Sequence, residues 1–363
     1  ELTELLSTIN TDIRTDGTLD SNTTKAKLVT ASNYINNRHH SIRTNIEARY
    51  SDLGISATIP AFESYICNLL NVECPLPTWE LVTSSAPWGN RSEHSVVAYN
   101  NKLWLMGGYI DSSTYLNDVW YSSDGSNWTQ ATSSADWSAR KGTASLVFDN
   151  KMWILGGSAS SGLKNDVWYS TDGTNWTQAT SSAGWSARNS HRAVVFDNKM
   201  WVMGGGRSAS DGDTGYKDVW YSTDGANWTR ATNSMFSKGR GGIALTTFNS
   251  KMWVIGGFGG GCSMSVCSDV WYSSDGSSWT QSTSNLGATS YGHSAASTSS
   301  KIFVFGGSYG SSNLSWYSSD GITWSSLTFP SGTSGTSQFS DSNNVIHDGA
   351  IWLTGKNKVW KLK

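Results

Sequence analysis

Charge is what this chain has least of. Only 15% of its 363 residues are Asp, Glu, Lys or Arg, and the formal net charge is -2. No basic stripe stands out, which argues against a nucleic-acid partner. No apolar run reaches membrane-spanning length. No leader-like segment opens the chain at Glu1, so it reads as a mature or trimmed product. Cysteine is scarce too, with four residues in two close pairs, Cys67/Cys74 and Cys262/Cys267. Neither pair has C-x2-C spacing and no His stands suitably near, so local disulfides are read in preference to zinc. Disulfides imply an oxidising compartment. Sparse charge with abundant Ser, Thr, Gly and Asn reads as a secreted surface, extracellular or on the cell surface, with the periplasm as the alternative.

What is abundant is a repeat. Asp-Gly-x-x-Trp occurs at Asp124/Trp128, Asp172/Trp176, Asp224/Trp228, Asp275/Trp279 and Asp320/Trp324. Each copy follows a Gly doublet, at 107/108, 156/157, 204/205, 256/257 and 306/307, with spacings of 49, 48, 52 and 50 residues. A period of that size reads as stacked β-units. Within one period, residues 144–148 and 152–155 are short apolar runs joined by the turn residues Asp149, Asn150 and Lys151. After the doublet come a variable loop, a third run at 166–170, the Asp172-Gly173 hairpin turn and a fourth run at 176–180. Four antiparallel strands per period make one propeller blade. The apolar second run suits an inner strand buried on both faces, with the Gly doublet near the axis and the Trp side chains packed between blades.

The order Gly-Gly, variable loop, Tyr121, six residues, Trp128 resembles the kelch repeat. It recurs as Tyr169/Trp176, Tyr221/Trp228, Tyr272/Trp279 and Tyr317/Trp324, so the resemblance spans about residues 79–363. The Asp-Gly-x-x-Trp turn also resembles the sialidase Asp-box, but the Trp falls one residue earlier, and sialidase chemistry is not carried across. A degenerate sixth copy ends the chain: Trp352 and Gly355 match a second strand and Trp360 a third. Its missing fourth strand matches Trp79 to Thr83 at the other end of the repeat region. The expected fold is therefore all-β, a six-bladed kelch-like propeller over 78–363, closed between its ends so that no edge is left open.

Residues 1–77 lack the repeat and are expected to be α-helical, an attachment or assembly segment. Leu28, Val29, Ile35, Ile42 and Ile46 mark an amphipathic stretch over 24–50, with further helices expected at 1–13 and 60–70. Asp12, Asp16 and Asp20 faintly echo a calcium loop, but Arg14 and Thr23 occupy ligand positions. A plain turn is preferred there, as it is at Asp211-Gly212-Asp213. No cofactor is expected, with calcium the only alternative.

Twelve residues after each fourth-strand Trp stand Arg91, Arg140, Arg188, Arg240, Tyr291 and Thr336. The kelch resemblance places this junction near one mouth of the central channel, where four Arg would attract carboxylates, sialic acids or acidic peptides. His94 and His191 follow three residues after their Arg, and His293 lies near Tyr291. The competing reading is structural, with each Arg bonding loop carbonyls. The loops after the Gly doublets differ most between repeats and are the expected seat of specificity. The Asn-Trp-Thr triplets at 127, 175 and 227 fit a glycosylation sequon but read as parts of a hairpin. The leading functional expectation is an extracellular binding or surface-assembly module for a protein or glycan. The alternative, implied by the resemblance, is a sugar-active enzyme of the sialic-acid mutarotase or sugar-oxidase type. Glu93 and His94 beside Arg91 are the one constellation to test for catalysis.

Overall fold

A computed structural model describes residues 79–206, 215–259, 266–283, 285–286, 292–306, 314–328 and 343–362. The expected N-terminal helices, the calcium-like loop, Asp211 to Asp213, Cys67, Cys74, Cys262, Tyr291 and Thr336 lie outside them. The described residues fall in one compact unit, Pro77–Lys363. Among them are six antiparallel sheets, five of them meanders in chain order. Blade 1 consists of β2 (Ser95–Tyr99), β3 (Lys102–Tyr109), β4 (Tyr115–Ser122) and β5 (Thr129–Thr132), and blades 2 to 5 repeat that order. In blades 2 and 4 the first strand is interrupted, as at Arg140–Lys141 and Ala144–Phe148.

Blade 6 joins the two ends of the ring. Strand β1 (Trp79–Thr83) pairs antiparallel with Lys358–Leu362, setting Trp79 opposite Leu362 and Leu81 opposite Trp360. Ala350–Gly355 and Asn343–His347 complete that sheet. The first strands of successive blades touch one another around the whole ring, so they line the axis. The apolar second strand sits one place out, an inner strand buried on both faces as expected, from Met152 to Gly157 in blade 2. Its side chains meet both neighbouring blades, which is why it lacks alternation.

In blades 1 to 4 two turn types close the end away from the Gly doublets. Between the first and second strands, Asp149 and Asn150 both have φ near +50, a primed turn that matches strand twist. Between the third and fourth strands the Asp-Gly turn is tied internally. Asp172 Oδ1 accepts from the Thr174 and Asn175 amides at 2.8 Å, and Oδ2 accepts from Asn175 Nδ2 at 2.8 Å. The Asn of the sequon-like triplet is therefore engaged within its own turn.

Six apolar clusters hold the blades together, one at each joint. At the joint of blades 1 and 2, Trp104, Met106 and Val119 meet Met152, Ile154 and Trp176. At the closing joint, Trp352 and Val359 of blade 6 meet Val96, Leu103 and Leu105 of blade 1. Gly173 explains why the repeat couples its turn to its second-strand Trp. A Cβ there would lie 2.1 Å from the Trp104 ring of the preceding blade. The same contact joins Gly125 to Trp352, Gly225 to Trp153, Gly276 to Trp201 and Gly321 to Trp253. Each second-strand Trp also donates its indole N–H to a backbone carbonyl five residues earlier, as Trp104 does to Tyr99 at 3.0 Å. The polar end of each indole is thereby satisfied while its rings fill the joint.

Candidate recognition face

The meander puts two kinds of connection at one end of the ring: second strand to third, and fourth strand to the next blade's first. Arg91, Arg140, Arg188 and Arg240 all stand at this end. None of them offers a free guanidinium. Arg140 donates from Nη1 to the Gly156 carbonyl at 3.0 Å and to Asp166 Oδ1 at 2.6 Å. Its Nη2 reaches Asp166 Oδ2 at 2.8 Å, and its Nε reaches the Ser138 carbonyl at 2.9 Å. The side chain is 1% exposed. Three more braces are built alike: Arg91 on Asp118 and Gly107, Arg188 on Asp218 and Gly204, Arg240 on Asp269 and Gly256.

Each brace ties three backbone segments: the incoming junction, the Gly doublet and the start of the third strand. The carboxylate takes a third bond from the neighbouring indole, Trp168 Nε1 to Asp166 Oδ2 at 2.9 Å. Burial pushes the Asp166 and Asp218 carboxyls up, but bonds from Arg140 and Arg188 outweigh it and hold both below the ordinary value. The expected anion-attracting ring is thus a set of neutralised struts, and an anion would have to displace an aspartate from each. The sequence carried this signal. Arg and Asp recur 27, 26, 30 and 29 residues apart in blades 1 to 4. Blade 5 has Tyr291 and Leu314 in the two places, and blade 6 has Thr336 and Lys358. Both halves vanish together.

His94 and His191 are no more available. They are 1% and 0% exposed and lie in blade joints rather than at the surface. At the mouth itself, backbone groups bond to each other across blades. Gly142 N–H donates to the Glu93 carbonyl, Ser190 to Gly142, Gly242 to Ser190 and Gly292 to Gly242, all at 3.0 to 3.1 Å. All five residues have φ between 50 and 70, and Glu93 and Ser190 adopt it without being glycine. A side chain in that conformation is strained, and such strain gathers at functional places.

A family model for kelch repeats, the KLHDC2/KLHL20/DRC7 Kelch-repeats domain, matches residues 64–257, just over half of the chain. This chain belongs to the kelch-repeat family. No curated protein matches it. The kelch blades continue structurally past the matched residues to Leu362. As a kelch propeller it is a protein-interaction module. Among the described residues no group of three or more His, Cys, Asp or Glu is placed to hold a metal ion. Among them, too, no helix is long and apolar enough to cross a membrane.

The accessible chemistry of this kelch face lies in its connections. In blade 1 the loop after β3 is pinned by Asp111, whose Oδ1 accepts from the Ser113 and Thr114 amides at 2.9 Å. Those bonds, with the Ser113 and Thr114 hydroxyls, hold its carboxyl down at about 2. The pinned loop presents Ile110 at 51% exposure between Tyr109 and Tyr115. Beside it Glu93 pairs with Lys141 at 3.0 Å, and Lys141 Nζ sits 4.1 Å from the Tyr109 ring centroid. Burial works against the Lys141 charge, but Glu93 outweighs it and raises the ammonium above its ordinary value. In blade 2 the loop shrinks to a tight turn between Ala159 and Gly162. Cys267, at the root of the blade 4 connection, is buried and disulfide-bonded.

Proposed function

We propose that this kelch propeller is the recognition part of an extracellular binding module, and that its connection face receives a protein or glycan. Residues 1–77 serve attachment or self-assembly in this reading. One observation carries it. At one end of the ring the turns of blades 1 to 4 are near copies, while at the other the connections differ in length and chemistry. They do so on a foundation of identical Arg–Asp braces in four blades. A rigid base with differing loops is the arrangement of a binding surface. Low charge content and the disulfide at Cys267 support the oxidising, extracellular setting.

The test is a glycan array and a displayed peptide library probed with the purified chain. Binding that is lost in Ile110→Ala, Tyr109→Ala or Lys141→Ala, and kept in Ser126→Ala and Thr174→Ala at the opposite end, supports the reading. Binding lost only in the opposite-end variants refutes it. The strained Glu93 favours the alternative of a sugar-active enzyme. Sialic-acid mutarotation or sugar oxidation that disappears in Glu93→Gln, with the fold intact, would establish that alternative.

A further inference from the structure

Every second blade joint holds a histidine shielded from water. His94, His191 and His293 are each at most 1% exposed. Each begins the inner stretch of its blade, at the register position opposite the first Gly of the doublet, as His191 stands opposite Gly204. Each ring turns toward the preceding blade. His94 Nε2 is 2.8 Å from Thr354 Oγ1, and His293 Nε2 is 2.8 Å from the Ile255 carbonyl oxygen. A Cβ on Gly156 would lie 3.0 Å from His191 Cε1, and one on Gly256 would lie 2.8 Å from His293 Cε1. The joints so filled are 6/1, 2/3 and 4/5.

Joints 1/2 and 3/4 fill the same place differently. Thr143 stands in one, bonding Ser95 Oγ at 2.6 Å, and Ile243 in the other, packed against Gly204. Ile243 shows that an aliphatic side chain fits, so close packing does not require an imidazole. The charges that act on the three rings are guanidinium groups: Arg91 on His94, Arg188 and Arg192 on His191, and Arg192 on His293. Arg91 and Arg188 are already neutralised by Asp118 and Asp218. From the preceding blades the facing groups are the Thr354 hydroxyl and the uncharged backbone around Gly156 and Gly256.

We propose that the propeller opens in mildly acidic surroundings through proton uptake by His94, His191 and His293 at alternate blade joints. A proton on any of these rings puts an imidazolium in a dry joint beside an arginine, and the joint must part to hydrate it. The Gly doublets against His191 and His293 root connections of the recognition face, so parting those joints displaces that face whatever it binds. Burial, aided by the arginines, holds His94 and His191 at about 3 and His293 at about 4, against 6.5 for a free imidazole. Each depressed value makes the unfolded or opened form the better proton acceptor. Stability is therefore whole above pH 6.5 and falls as pH drops below it. The opening constant rises by up to about tenfold per histidine per pH unit.

The test uses the full chain. Urea unfolding followed by Trp fluorescence from pH 7.5 to 4.5 gives the protons taken up on unfolding. Beyond the His347 background, the expected uptake approaches three in the wild type and two both in His191→Gln and in His191→Ile, which copies the solution at Ile243. His347, half-buried, stays as a common background in all variants. Uptake unchanged in both variants overturns the proposal. Hydrogen exchange of the wild-type chain, corrected for intrinsic rate, supplies a readout that needs no variant. Peptides carrying Gly156-Gly157 and Gly256-Gly257 should open more at pH 5 than at pH 7, before those carrying Gly204-Gly205. Equal opening at all three, or none, also overturns it.

Discussion

Gly173→Ala tests whether the Asp-Gly turns act as locks between blades. Gly173 has φ of +75, and a Cβ there would stand 2.1 Å from Trp104 Cζ3 and 2.7 Å from Cη2. Two costs add. Holding an L-residue in the left-handed region costs about 1 to 2 kcal/mol. Forcing extra volume into a filled joint costs about 1 to 3 kcal/mol more. The backbone part can be measured separately at Gly89, which has φ of +80 and open space around its would-be Cβ. Gly89→Ala should therefore cost only about 1 to 2 kcal/mol, and Gly173→Ala about 2 to 5 kcal/mol. A background of Trp104→Leu removes the ring that the new methyl strikes. The Gly173→Ala penalty should shrink there toward the Gly89→Ala value, giving a coupling energy of about 1 kcal/mol or more. Urea unfolding at pH 7 reads the four variants against the wild type. A Gly173→Ala penalty equal to that of Gly89→Ala, or unchanged without Trp104, would show that the turn does not press on the neighbouring blade.

The other predictions concern charge and sulfur. Arg140→Ala should cost about 3 to 5 kcal/mol in urea unfolding because it strands a buried carboxylate. Arg140→Leu with Asp166→Leu should cost much less, since blade 5 already does without the pair; equal costs would refute the brace. The Asp172 carboxyl is raised by burial but held at about 2 by stronger bonds from the Asn175 and Thr174 amides, below its ordinary value of 3.8. Its contribution is therefore complete above about pH 4 and is lost as pH falls toward 2. Asp172→Asn should flatten the stability profile below pH 4 and leave it unchanged from pH 4.5 to 7, where the histidines act. Alkylation under denaturing, non-reducing conditions should label none of the four Cys, and peptide mapping should recover Cys262 joined to Cys267 and Cys67 to Cys74. Four labelled thiols would remove both the bridges and the case for an oxidising compartment.

Features set by a fixed spacing were readable in the sequence. The Gly doublet recurs every 48 to 52 residues, each time followed by one Asp-Gly-x-x-Trp turn, so blade number follows from counting. The closing strand β1 was readable for the same reason, because Trp79 to Thr83 copies an outer strand. Features set by contact across a joint were not. Which strand lines the axis depends on how blades abut, and the apolar runs alone do not show it. A strand with a neighbouring strand on each side and a neighbouring blade against each face buries more than one at the channel wall.

The arginines show most clearly how a correct location can carry a wrong role. Their common face followed from the repeat, yet a positive ring at a channel mouth is electrostatically meaningful only if its charges are uncompensated. The partners Asp118, Asp166, Asp218 and Asp269 lie across a connection of changing length, so their spacing from the arginines drifts between 26 and 30 residues. A fixed-period search passes over them. Their joint absence from blades 5 and 6 identifies them instead, because a buried guanidinium and a buried carboxylate are each costly alone. Neither is kept without the other. The same logic separates the loop face from its foundation. Groups that recur in register are spent on the ring, and those that differ between blades, such as Ile110, Tyr115 and the Glu93–Lys141 pair, are the ones the proposed recognition role draws on.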